Sequence, residues 1–277
     1  MAITSLDLAL AGMQQPRPYT KAATPALVIG HPQSMWYVPG CPGVGTTPPA
    51  ATAGGLSLVS TAANIAGQMP HTDAAANAYL ARLSAVCSQP GVLLLCDRLA
   101  HNSSISAGTA ILDTVTTAQT ITSAALPARD NSGTVNGDGV QWGVEVVTAT
   151  GIGTPTITLS YTNQLGTAGQ ASTNIDATVA TSAAGMFHRM SLAGGDTGMR
   201  SIQSLTLSAT WTSGQIALVA YRVLASVEIV NANVPNAVDA LTSGFPRLFN
   251  GVVPFFIFIP SSTTAANISG TYSETQG

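Results

Sequence analysis

The chain has 277 residues, enough for one large or two ordinary domains, and 45% of them are apolar, so a sizeable core can form. Charged residues make up only 8%, against about 25% in an average domain, and the formal net charge is −3. Scattered cations exclude a basic nucleic-acid surface, and no apolar run reaches the length of a membrane-spanning helix.

The first stretch, MAITSLDLALAGMQQ, lacks a basic leader region and reads as a short helix with Ile3, Leu6, Leu10 and Met13 on one side. From Pro16 to Pro49 proline recurs too densely for helix or central strand. The same stretch carries Met35, Trp36 and Tyr37, residues that a disordered linker rarely holds. It is expected to be an extended arm, residues 1–70, packed on its own domain or on a neighbouring subunit. HTDAAANAYLARLSAVCSQPG has the marks of a helix: Thr72 or Asp73 as cap, an Ala-rich interior, and Gln89, Pro90 and Gly91 as the stop. Tyr79, Leu80, Leu83 and Val86 would be its buried side. GVLLLCDRLAHNSS follows as a strand buried on both faces.

From Ile111 to Ile229 apolar alternation recurs between Gly, Asn and Asp turns, which predicts strand after strand in an antiparallel β-sandwich or jelly-roll. In PTITLSYTN, Ile157, Leu159 and Tyr161 face one way and Thr and Ser the other. Gln215–Val223 is mostly apolar on both faces, which places it centrally or under another subunit. The domain plan is therefore an arm (1–70), a helix with the sandwich core (71–230) and a C-terminal extension (231–277). That extension holds Phe255, Phe256 and Phe258 between Pro254 and Pro260. So apolar a run must be covered, as an internal strand or as one given to a neighbour. Met35, Trp36, Tyr37 and these three phenylalanines are the candidate interaction residues.

Chemistry has few footholds. His31, His71, His101 and His188 show no metal-ligand spacing, and no nucleophile-elbow, zinc-protease or phosphate-loop motif occurs. In CDRLAHNSS, Asp97, Arg98, His101 and Ser104 lie close in sequence, which reads as a strand end with Asp97 and Arg98 paired rather than a triad. Asp130, Asn136 and Asp138 in RDNSGTVNGDG are weak calcium candidates, and no cofactor is expected. Glu145 is the carboxylate to watch for glycan hydrolysis. Cys41, Cys87 and Cys96 read as small buried hydrophobes of a reducing compartment, with a Cys87–Cys96 bridge as the alternative. Eight of the nine cations are Arg, which either base-composition bias or interface selection explains.

GVLLLCDRLAHNSSIS, the segment from TTAQTITS to NQLGTAG, and AGGDTGMRSIQSLTLSATWTSGQIALVAYRVLA together resemble virion structural proteins of tailed bacteriophages. The resemblance covers roughly residues 70–225. It implies a particle component with no catalytic residues, located in the virion and made in the host cytoplasm. Capsid decoration (cement) proteins are commonly sandwich or jelly-roll oligomers with extended arms. The expected partners are thus the major capsid protein or other virion proteins and further copies of the chain, a trimer favoured, with no nucleic acid or membrane contact. A collar, tail or host-receptor-binding protein, using the loops ARDNSGTVNGDG and NQLGTAGQ, is the alternative. A glycan-active enzyme is the remote one.

Overall fold

A computed structural model describes residues 3, 5–46, 55–60, 67–74, 77–102, 104, 105, 109–112, 116–244 and 246–277, with backbone alone at 104, 105, 109–112 and 243. The elements begin with α1 (Leu6–Ala11), β1 (Arg17–Lys21), β2 (Gln33–Ser34), β3 (Gly40–Cys41), β4 (Leu56–Ser57), β5 (Ala78–Cys87) and β6 (Gly91–Asn102). Next come β7 (Ser104–Ile105), β8 (Thr109–Leu112), β9 (Gln119–Thr120), β10 (Gln141–Thr148), β11 (Ile157–Asn163), β12 (Gln170–Thr173), β13 (Phe187–Arg189) and β14 (Met199–Leu207). The chain ends with β15 (Gln215–Ile229), β16 (Asn236–Asp239), α2 (Ala240–Ser243), β17 (Arg247–Leu248), β18 (Pro254–Pro260) and β19 (Ile268–Gln276). The chain is mainly antiparallel β, of sandwich or jelly-roll type. It divides into two compact units.

Unit 1 gathers Met1–Thr46, Val59–Asp97 and Val223–Gly277. One of its layers has the strand order β16-β5-β19-β1-β3, with β17 also on β5. In the other, β18 pairs with the Gly91–Asp97 part of β6 and with β2. Leu80 and Leu83 of β5 and Tyr272 of β19 share one core with Leu93 and Leu95 of β6 and Phe256 and Phe258 of β18. The proline-rich stretch contributes to the same core through Tyr19, Leu27, Met35 and Val38.

The expected helix after His71 is a strand over its described part, and the reason is local. β5 pairs with β19 on one side and with β16 and β17 on the other. Its register against β19 runs Arg82 to Ser273 and then Leu80 to Glu274, which leaves Ala81 as the extra residue of a bulge. The bulge buries Leu80 and Ala81 consecutively, and alternation then resumes at Leu83, Ala85 and Cys87. Leu80 and Leu83 therefore sit three apart, which mimics a helical stripe. Alanine's helix preference is only some tenths of a kcal/mol per residue, and strand partners on both edges outweigh it.

The N-terminal helix forms where expected, with Ser5 Oγ accepting from the Leu8 N–H at 3.3 Å. Its buried residue, however, is Ala9, while Leu6, Leu10 and Met13 are exposed.

Unit 2 comprises Thr47–Leu58 and Arg98–Arg222. Its four-stranded sheet has the order β12-β11-β14-β9. Ile157, Leu159 and Tyr161 are fully buried and Thr158 is exposed, which is the alternation the sequence predicts. The other layer sets β10 between β13 and the Gln215–Tyr221 part of β15. Every side chain from Ile216 to Tyr221 is buried, as a central strand requires.

Candidate functional site

The residues singled out in the sequence fall at separate places. In unit 1, Trp36 is fully buried, donates through Nε1 to the Thr46 carbonyl at 2.9 Å, and meets Phe255 edge to face at 6.1 Å. Met35, Phe255, Phe256 and Phe258 are buried as well, and Tyr37 is half-buried. Phe256 packs on Tyr19 with ring centroids 4.5 Å apart. Of the two coverings the Phe run admits, the internal strand is the one observed. Both aromatic segments hold unit 1 together from within.

The polar residues of β6 also turn inward. Asp97 accepts from the Val253 N–H at 3.0 Å. In unit 2, Arg98 grips Glu145, a partner the sequence does not suggest, at 3.0 Å and 2.7 Å to its two oxygens. Neighbouring strand residues point to opposite faces, which lets Asp97 reach the Val253 N–H while Arg98 reaches Glu145. Arg98 and Glu145 are both wholly buried, and the pair is bidentate. His101 Nδ1 lies 3.4 Å from Arg98 Nη2. Burial, and then the adjacent Arg98 charge, hold the His101 imidazole well below its ordinary pKa, so it is neutral near pH 7. Glu145 and His101 are 0% and 1% exposed and cannot touch a substrate as they stand. The Ser104 side chain lies outside the described residues.

Cys87 and Cys96 are buried free thiols, so no bridge joins them; Cys41 is free and exposed rather than buried. Among the described residues, no cluster of His, Cys, Asp or Glu is placed to hold a metal ion. No described helix is long and apolar enough to cross a membrane.

The calcium candidates do not converge on an ion site. Asp130 accepts from the Ser132 N–H, the Thr134 N–H and hydroxyl, and the N–H groups of Gly137 and Asp138, at 2.6–3.3 Å. Five donors consume its acceptor capacity. Burial pushes its pKa up, and these hydrogen bonds more than offset that and leave it lowered. Asp138 instead accepts from the Thr197 hydroxyl at 2.6 Å. Asn136 is exposed, with its backbone N–H on the Thr134 hydroxyl.

This arrangement builds the best candidate site of unit 2, an end surface made of three loops. Asp130 folds the first loop on itself. Thr197 ties the third loop to the first through Asp138, and its N–H donates to Gln164 Oε1 of the second at 3.1 Å. The second loop is closed by Asn163 Oδ1, which accepts from the Leu165 and Thr167 N–H groups. Asp196 accepts from the Tyr161 hydroxyl at 2.6 Å and from Asn163 at 2.7 Å. Gly137 takes φ +87°, and a side chain there would strike the Met199 carbonyl, so only glycine fits. On this fixed base Val135 and Leu165 project, Leu165 with 80% exposure. Sequence reading picked out two of the three loops. It missed Thr197 and Gln164, whose partners are distant in the chain. The only local signal was the Gly-rich AGGDTG.

No protein-family model matches the chain, and no curated protein matches it. Among solved structures, a mutant VP2 protein of infectious bursal disease virus in derived T=1 particles is similar at 9% identity. That match covers 99% of this chain and 80% of that one, with a TM-score of 0.17. The structure of the Gt strain of the same virus gives 11% identity, coverage of 95% and 82%, and a TM-score of 0.19. A VP2 subviral particle of that virus gives 8%, 96% and 81%, and 0.16. Similarity this low carries no argument about function.

Proposed function

We propose that the chain is a non-enzymatic structural component of a virion, and within that class a cement protein that binds the major capsid protein of a tailed phage head. The observation that carries this reading is where the few charges go. Glu145 is neutralised by Arg98, Lys21 is enclosed by three carbonyls, Asp130 is held by five donors, and Glu274 meets Arg17 and His71. The surface keeps only scattered charges, such as Asp7, Arg82, Arg200 and Glu228, among small polar residues and projecting aliphatics such as Leu165, Ile152 and Leu241. Such a surface costs little to desolvate against neighbours. Repeated modest contacts from an oligomer add to tight attachment on a lattice. The resemblance to tailed-phage virion proteins points the same way.

A second reading is favoured by the three-loop end. A rigid platform bearing exposed Leu165 and Val135 suits recognition of a host receptor by a collar or tail protein. The two readings separate on one variant. Particles lacking this chain are supplemented with the full-length protein or with Leu165→Asp, and heat-induced genome release and cell adsorption are measured. A cement protein raises the release temperature in both forms and leaves adsorption unchanged. A receptor binder restores adsorption only in the unmodified form and leaves heat resistance alone. Deleting residues 1–70 is unsuitable as a test, because Tyr19, Leu27 and Met35 belong to the unit 1 core.

A further inference from the structure

Unit 1 carries an apolar surface that its own core does not use. α1, β5 and α2 enclose a hollow of about 270 Å³ lined by Leu6, Leu10, Met13, Ala81 and Leu241. Leu6 is 68% exposed, Leu10 61%, Met13 43% and Leu241 88%. The side of α1 that carries Leu6 and Leu10, continued by Met13, faces outward, and Ala9 is the buried residue of the helix. α2 is built to hold Leu241 out: Asp239 and Thr242 form a reciprocal capping box and Gly244 closes the turn at φ +74°. A four-residue helix capped at both ends fixes its exposed leucine, Leu241, in place rather than leaving it on a loose loop.

We infer that this patch pairs with the same patch on a second copy of the chain across a two-fold axis. Three features commit it to that occupant. The first is area. Four large apolar residues lining one hollow, 43–88% exposed, make an apolar patch of the kind that marks a protein contact. A standard interface buries about 800 Å² per partner, more than half of it apolar, and a cluster of four such residues suits the centre of one. The second is shape. One patch presents both a projecting side chain, Leu241, and a hollow floored by Ala81, which is what an isologous contact needs. The third is charge. The rim carries one charge of each sign, Arg82 and Asp239, so two copies meet without net repulsion. The inference concerns self-association alone and stands whether the protein sits on a head or a tail.

The test is the mass of the full-length chain in solution, by sedimentation and light scattering from low micromolar to about millimolar concentration. The unmodified chain is expected to move reversibly from one to two copies. Leu241→Glu and Leu10→Glu change exposed side chains and leave folding intact by circular dichroism. Each should weaken the dimer about tenfold or more, because a charge would be buried at its centre. Leu165→Glu, on the other unit's exposed loop, should leave the dimer unchanged. A chain that stays monomeric throughout, a three-copy assembly, or a dimer indifferent to both patch variants would each overturn the inference. Monomers whose patch instead saturates with another virion protein would overturn it too, by assigning that protein as the occupant.

Discussion

Glu145 and Arg98 illustrate how this chain uses its scarce charges. Each is wholly buried, and each satisfies the other through two hydrogen bonds. Removing one partner leaves the other charge in a low-dielectric core, so Glu145→Gln is expected to cost about 3–5 kcal/mol of stability. The double replacement Arg98→Met, Glu145→Leu should recover most of that loss. Urea unfolding of the three variants measures both. A silent Glu145→Gln would mean that the pair contributes nothing. Lys21 gives a pH signature. Burial pushes its pKa down from 10.5 to about 8, with Cys41 opposing, and its ammonium donates to the carbonyls of Val38, Pro42 and Gly43. Between about 8 and 10.5 the unfolded chain binds the proton that the folded chain has released, so stability contributed through Lys21 rises with pH across that window. The full shift corresponds to about 3 kcal/mol. In Lys21→Met this component of the slope is absent, so the stability difference between the two proteins should grow in the unmodified chain's favour from pH 8 to pH 10. A difference that is flat with pH would refute the assignment.

At the scale of elements, the first loop of unit 2 hangs on one carboxylate. Asp130→Ala removes the acceptor for five donors and is expected to loosen the loop. A protease that cleaves loops should then cut between 130 and 139 before the sheets unfold; equal resistance in both proteins would show that the loop is held by its glycines instead. How much of the architecture the sequence reveals also varies by element. β11 and β15 are legible because burial follows the pleat directly, one face in Ile157–Asn163 and both faces in Ile216–Tyr221. β5 is not legible, since the Ala81 bulge converts alternation into a three-residue spacing within an Ala-rich segment. α1 is legible as a helix but not in its orientation, because Leu6 and Leu10 mark a surface and not a core. The candidate site is half legible. Its turn residues announce loops, while the cross-links from Thr197 to Asp138 and Gln164 join residues more than thirty positions apart.

At the scale of the whole molecule, the proposed role in a virion rests on a low charge content, charges such as Glu145 and Arg98 paired in the core, and exposed aliphatics. Segments from both ends enter unit 1, whose sheet sets β19 between β1 and β5. The proposed engagement of a virion head is tested most directly by saturation binding of the full-length chain to heads purified without it. Binding is expected to saturate at a fixed number of copies per head, a multiple of the lattice symmetry, and to survive high salt because charge contributes little to it. Binding that never saturates, that salt abolishes, or that occurs on tails or cells and not on heads would contradict it.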